Sequence, residues 1–250
     1  MKINYMYFGQ GDETIVFIHG LSDDINYWSG LSEHLKNRYK ILLYDIRGHG
    51  KSEFEEFNIE VLVEDLYGLL LKENIEKASL VGFSLGGNIA LDFTIRYPEI
   101  VEKLVLMASF SEFDEQLESK FIEFRNALNV SFEEFYDVII NYVLPEDIID
   151  MHCKELELIK HEKAKTANIE AILCGVEAGF DFNCTSHLQS IDAPTLILVG
   201  RDDEIISMNL SQILNNNIKN SRMVVFDNTK HNLLIGKNID EILKLMCEFL

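Results

Sequence analysis

Basic residues are scarce in this chain. Its 250 residues carry 22 Lys and Arg against 42 Asp and Glu, a formal net charge of −20 and a pI near 4.7. Such a polyanion is repelled by nucleic acid and by anionic membrane surfaces, which argues against both as partners. It also sets a field against anionic substrates unless a local basic patch intervenes. Proline is rarer still, with three residues, so no Pro-rich linker exists. The four cysteines, Cys153, Cys174, Cys184 and Cys247, form no C-x-x-C pair. Their spread argues against a zinc site or a disulfide framework and fits reduced thiols in a cytoplasmic protein. No apolar run reaches the length of about 18 residues that a membrane span needs. Met1–Met6 lacks the apolar segment of a signal peptide. Internal repeats and low-complexity segments are absent too.

What is present is a globular pattern, with 47% hydrophobic residues and enough length for one sizeable domain. Short apolar runs rich in β-branched residues recur at Thr14–Ile18, Lys40–Tyr44, Ser79–Val81, Lys103–Met107, Thr195–Val199 and Met223–Phe226. Continuous apolar runs fit strands buried on both faces, as in parallel sheets. Helical spacing fills the gaps at residues 28–37, 59–73, 84–97, 207–217 and 239–250. This alternation predicts an α/β fold, a mostly parallel twisted sheet with helices on both faces. The turn signal Gly9–Asp12 predicts an initial strand pair near residues 2–8 and 14–18.

Residues 111–188 break the rhythm. They hold no convincing strand, and Phe121, Phe124, Leu128, Phe132, Phe135 and Ile139 recur at helical spacing. The expected organisation is therefore a core of residues 1–110 and 189–250 with a helical cap, 111–188, inserted between two strands. Such a cap would sit over the carboxyl ends of the strands, where open α/β sheets bind ligands.

Gly82-Phe83-Ser84-Leu85-Gly86 joins one of the strands to a helix. A serine flanked by glycines at that junction forms a nucleophile elbow, a strained turn that lifts the hydroxyl above the sheet. Serine is a weak nucleophile and needs a base, itself oriented by an acid. Both stand downstream, just past later strands. The acid is Asp202 or Asp203, with Asp227 a further possibility, and the base is His231. Ser84 would attack a carbonyl and His231 would take its proton. Backbone N–H groups of Leu85 and Leu21 are the candidate oxyanion donors. His19 fits a structural role in the Leu21 loop. His34, His152, His161 and His187 fit solvent-facing positions, and the His152/Cys153/His161 group lacks metal-ligand spacing. The chemistry requires no cofactor and no metal.

His19-Gly20 with Trp28 after it, Asp45-Ile46-Arg47-Gly48-His49-Gly50-Lys51-Ser52, the elbow, Gly200-Arg201-Asp202-Asp203 and His231 together resemble the α/β-hydrolase superfamily. The likeness lies near its lactonase, esterase and C–C hydrolase branches. It implies the α/β-hydrolase fold and places the acid three residues after the glycine, at Asp203. It also implies a structural role for Asp45, Arg47 and His49. Two departures stand out. Glu204–Ser207 lacks the proline that often follows the acid, and Lys230 replaces the glycine that often precedes the histidine. Relatives that displace at alkyl carbon carry aspartate in the elbow, so serine at position 84 implies acyl chemistry.

The expected function is cofactor-free hydrolysis of a small carboxylic ester, lactone or thioester through an acyl-enzyme on Ser84. Alternatives on the same triad are C–C bond hydrolysis, menaquinone-pathway lyase chemistry, acyl transfer and perhydrolysis. A non-catalytic small-ligand receptor is the alternative from another class. The expected partner is a small-molecule substrate, and the pattern carries no signal for an oligomeric state. Phe110, Phe113, Phe121, Phe124, Phe180 and Phe182 are aromatic candidates, of which Phe110, Phe113 and Phe180 are the expected pocket contacts. Among Lys120, Arg125, Lys154, Lys160, Lys163 and Lys165, a cation reaching the pocket would mark an anionic substrate.

Overall fold

In a computed structural model, which describes residues 1–236 and 238–250, the apolar runs form one seven-stranded sheet. The strands are β1 (Tyr5–Gly9), β2 (Thr14–Ile18), β3 (Lys40–Tyr44), β4 (Ala78–Phe83), β5 (Val101–Met107), β6 (Thr195–Gly200) and β7 (Ser221–Phe226), in the order β1-β3-β2-β4-β5-β6-β7. All neighbours are parallel except β1 and β3. Every residue of β2, β4 and β6 is buried, as their unbroken apolar runs require.

The expected pairing of the first two strands is corrected. β1 runs antiparallel to β3, with Tyr5 opposite Tyr44, and β3 separates it from β2. The Gly9–Asp12 turn reverses the chain, but β3 pairs with β2 along five residues and takes the edge a hairpin partner would need.

The strands alternate between two cores. Ile15, Phe17, Ile41 and Leu43 face α1 (Ser29–Leu35) and α10 (Asn238–Phe249). Val16, Ile18, Leu42 and Leu80 face α2 (Ile59–Lys72) and α3 (Leu85–Arg96). The sheet is thus covered on both sides, which the period of two along each strand demands.

Between β5 and β6 the chain runs through α4 (Glu115–Leu128), α5 (Phe132–Val143), α6 (Glu146–Met151), α7 (Cys153–Ala164) and α8 (Ile169–Phe180). Side-chain oxygens start three of these helices: Asp114 accepts from Leu117 N, Ser131 from Glu134 N and Asn168 from Ala171 N. α9 (Met208–Asn217), capped by Ser207, follows β6. No helix among the described residues is long and apolar enough to cross a membrane.

Strand order reverses around β2. The chain passes from β2 to β3 on one side, then crosses to β4 on the other. A crevice opens at the carboxyl ends where such a reversal occurs. The loop after β2, which begins His19-Gly20-Leu21, and the turn after β4 at Ser84 both lie there.

Candidate active site

Ser84 stands between β4 and α3 with φ 51° and ψ −118°. That left-handed backbone costs a non-glycine residue about 1–3 kcal/mol. Neighbouring bonds hold it there. Ser84 N donates to Met107 O at 2.9 Å, and Gly87 N donates to Ser84 O at 2.8 Å. At about 1 kcal/mol net each, such bonds offset much of the strain. The flanking glycines admit the turn. A Cβ on Gly82 would overlap the Gly86 carbonyl, and one on Gly86 would overlap the carbonyls of Ile18 and His19.

Asp203 and His231 meet as a buried pair. His231 Nδ1 lies 2.8 Å from Asp203 Oδ2, and the Asp203 side chain is fully buried. The other carboxylate oxygen accepts from Ile205 N and Ile206 N, both at 2.9 Å. A carboxylate oxygen accepts, so the hydrogen of this contact sits on Nδ1, and Nε2 is the ring nitrogen left for another partner. Asp202 is exposed, and Asp227 is held by Arg201, so of the three aspartates only Asp203 meets the histidine. The His231 ring also packs on Phe83, centroids 5.0 Å apart, and Phe83 stacks on Tyr27 at 4.7 Å.

His19 is wholly buried and works as a strut. Its Nε2 accepts from Ile46 N at 3.0 Å, so Nδ1 bears the hydrogen and donates to Gly20 O at 2.8 Å. Burial lowers its pKa, which keeps the ring neutral for both bonds. Asp45 accepts from Asn4 Nδ2, Ile25 N and Lys51 N, while Arg47 forms a two-pronged pair with Asp65 at 2.6 Å. These contacts fix the Asp45–Ser52 loop in place.

A cavity of about 230 Å³ opens over the crevice. Leu21, Tyr27, Ser84, Leu85 and His231 line its sheet side. Phe121, Phe124, Tyr136, Ile139, Val143 and Leu156 from the inserted helices line the other. Of the expected aromatic contacts, Phe110 lines this cavity. Phe113 and Phe180 do not: both pack on Phe121, at centroid distances of 4.9 Å and 5.8 Å, and of these three rings Phe121 is the one that reaches the cavity wall. Of the six inserted cations Lys163 lines the cavity, where its Nζ lies 3.0 Å from Asp23 Oδ1. Lys160 pairs with Asp137 and Glu157, Lys165 with Glu162 and Arg125 with Glu177, while Lys120 covers the Tyr142 ring and Lys154 is exposed. His34, His152, His161 and His187 are exposed. Among the described residues no group of three or more His, Cys, Asp or Glu could hold a metal ion.

The inserted helices also hold the histidine loop. Lys230 Nζ donates to Asn141 O at 2.7 Å, His231 N to Tyr142 O at 3.4 Å and Asn232 N to Val143 O at 3.1 Å. The end of α5 thus offers its free carbonyls to this loop, and Lys230 has a local reason to replace glycine. Asn88, Tyr27 and Tyr136 are among the lining residues that carry no site signal in the sequence reading. Asn88 donates to Phe110 O at 2.7 Å and sits one helical turn past Ser84, a spacing that could have marked it. Tyr27 and Tyr136 come from segments whose local pattern reads as ordinary core.

Comparison with known proteins agrees with this architecture. The family model described as alpha/beta hydrolase fold matches residues 13–141, just over half of the chain. A protein of Pantoea ananatis named "Putative carbamate hydrolase RutD" is 28% identical over 204 residues, covering 80% of this chain and 74% of that protein. Two crystal structures share the fold. MGS-M2, an alpha/beta hydrolase enzyme from a Medee basin deep-sea metagenome library, superposes with a TM-score of 0.91 at 21% identity, covering 99% and 93% of the two chains. The enol-lactonase from Burkholderia xenovorans gives 0.90 at 21% identity, covering 99% and 95%. With its mostly parallel sheet, serine elbow and family match over residues 13–141, this chain belongs to the alpha/beta hydrolase fold family.

Proposed function

We propose that this protein is a serine hydrolase that cleaves a small carboxylic ester, lactone or thioester. Ser84 Oγ attacks the carbonyl carbon and gives its proton to His231 Nε2. Asp203 holds the ring in the required tautomer and stabilises the imidazolium. The N–H groups of Leu85 and Leu21 receive the negative charge on the carbonyl oxygen. Collapse expels the leaving group, protonated by His231, and leaves an acyl group on Ser84. Water, deprotonated by the same histidine, then releases the acid. The helices of residues 111–188 act as the cap that bounds the acyl site.

The observation that carries this reading is the buried His231–Asp203 pair beside the cavity that Ser84 lines. The lining is largely apolar, which supports an uncharged acyl chain. The test is turnover of short p-nitrophenyl esters and lactones by the parent and by Ser84→Ala. The parent should hydrolyse them, and the variant should fall to the buffer rate while keeping its unfolding temperature. Equal rates would overturn the proposal.

Carbamate cleavage is a second reading, favoured by the name of the Pantoea ananatis relative. The same three residues would serve it. Matched phenyl carbamates and phenyl esters separate the two by their kcat/KM ratio.

A further inference from the structure

Beside the cavity at Ser84 lies a smaller one of about 60 Å³. The two share Ser22, Asp23, Phe132 and Lys163 in their walls. Their characters differ. The large cavity is mostly aromatic and aliphatic, whereas Asp23, Asp24, His49, Lys163, Thr166 and Asn168 line the small one.

At the shared wall Lys163 Nζ donates to Asp23 Oδ1 at 3.0 Å and to Ser22 O at 3.3 Å. An ammonium group has three hydrogens, so it can give one more bond to a ligand. Across the small cavity stands His49, 4% exposed. Its Nδ1 donates to Arg47 O at 3.1 Å, while Nε2 is buried with no hydrogen-bond partner among the described residues. Burial, reinforced by the nearby His19, pushes this imidazole down to about 3. The ring is therefore neutral near pH 7 and Nε2 is an acceptor. A buried acceptor without a partner is unusual in a folded protein, and here the residue that carries it is part of the wall of the small cavity.

We propose that the small cavity is a second subsite of the active centre, which takes a neutral polar group with an O–H or N–H donor, such as a hydroxyl or primary carboxamide. It rests on the reading of Ser84 as nucleophile in the adjoining cavity. The donor would meet His49 Nε2, and the oxygen would meet the remaining hydrogen of Lys163. A carboxylate would face Asp23, Asp24 and the bare imidazole nitrogen. An ammonium would face Lys163. A methyl-terminated chain would leave both polar partners unsatisfied. The substrate class is thus an ester or lactone with an apolar body and one small hydroxyl- or amide-bearing arm.

Binding to Ser84→Ala tests this without turnover. Two isosteric pairs place the hydroxyl on either side of the ester: 2-hydroxyethyl hexanoate against propyl hexanoate, and ethyl 6-hydroxyhexanoate against ethyl heptanoate. Carboxymethyl hexanoate supplies the anion. Calorimetry should give one hydroxyl compound a Kd at least about fivefold lower than its partner and lower than the anion. Adding Ala167→Leu, which fills the small cavity, should bring that ratio to about one and leave the apolar partner's Kd unchanged. His49→Phe should act likewise, and Ala167→Leu decides alone if that variant does not fold. Equal binding within both pairs, tighter binding of the anion, or a preference that survives Ala167→Leu would overturn the subsite and leave a void holding water only. Turnover by the parent is scored separately. A hydroxyl preference without hydrolysis would refute the nucleophile and keep the subsite, while hydrolysis without the preference would do the reverse.

Discussion

Replacing Asp203 by asparagine removes one charge and almost no volume, and its consequence follows from three hydrogen bonds. In the parent, Oδ1 accepts from Ile205 N and Ile206 N at 2.9 Å each, while Oδ2 accepts from His231 Nδ1 at 2.8 Å. Asparagine has one oxygen to offer. If that oxygen stays on the two backbone donors, the amide NH2 faces His231 Nδ1 and forces the hydrogen onto Nε2. The ring then cannot accept the Ser84 proton. If the amide turns over, the tautomer is restored but two buried N–H groups face another donor. Each unsatisfied group costs about 1–3 kcal/mol, so the useful orientation lies about 2–6 kcal/mol above the other. At about 1.4 kcal/mol per tenfold, Asp203→Asn should lose about 30-fold to 10⁴-fold in kcat with little change in KM. Steady-state hydrolysis of a p-nitrophenyl ester measures this, with Asp202→Asn as the control that stays within about twofold. The reasoning is refuted if Asp203→Asn keeps more than about a third of the parental kcat, or if Asp202→Asn loses as much.

Three further outcomes follow from the packing and burial. Gly86→Ala should lose about 3 kcal/mol or more in urea unfolding, since its Cβ would overlap the Ile18 and His19 carbonyls and neither backbone yields easily; parental stability would show that the elbow has slack. His49 is held down to about 3 when folded and returns to near 6.5 when unfolded, so the unfolded chain binds its proton first and stability falls as pH drops below about 6.5. The stability curve of His49→Gln between pH 7 and pH 5 should then be shallower by up to about 1.4 kcal/mol per pH unit, and parallel curves would contradict this. Phe121→Ala should cost about 3–5 kcal/mol and shift preference toward longer acyl chains, because this ring lines the cavity and packs against Phe110, Phe113 and Phe180. An unchanged chain-length profile would remove Phe121 from the acyl wall.

Much of the fold was legible because its signals are local. Thr14–Ile18, Ala78–Phe83 and Thr195–Gly200 carry unbroken apolar runs because both their faces are covered. Asn58, Asp114, Ser131 and Asn168 cap helix starts in the fold, a local signal that the helical spacing alone does not use. The pairing of β1 was not legible, because a turn reverses the chain but does not choose the neighbour. Among the site residues, Ser84 stands out through its glycines. Residue pattern alone leaves Asp202 and Asp203 open, the resemblance picks Asp203, and in the fold Asp203 is the one of the two that contacts His231. The aromatic contacts resisted reading for a similar reason. Phe113, Phe121 and Phe180 are alike in sequence, and which ring reaches the cavity depends on how the inserted helices cross. Lys230 reads as a departure in the sequence, whereas in the fold it bonds Asn141 O and pairs with Glu204.

The central claim is that Ser84 is an activated nucleophile. A fluorophosphonate that forms a covalent bond only with an activated serine, followed by peptide mass spectrometry of the folded protein, tests it most directly. One adduct is predicted, on the peptide that contains Ser84, absent after Ser84→Ala and strongly slowed by His231→Ala. No adduct on the folded protein, or an adduct on another serine that survives Ser84→Ala, would contradict the account.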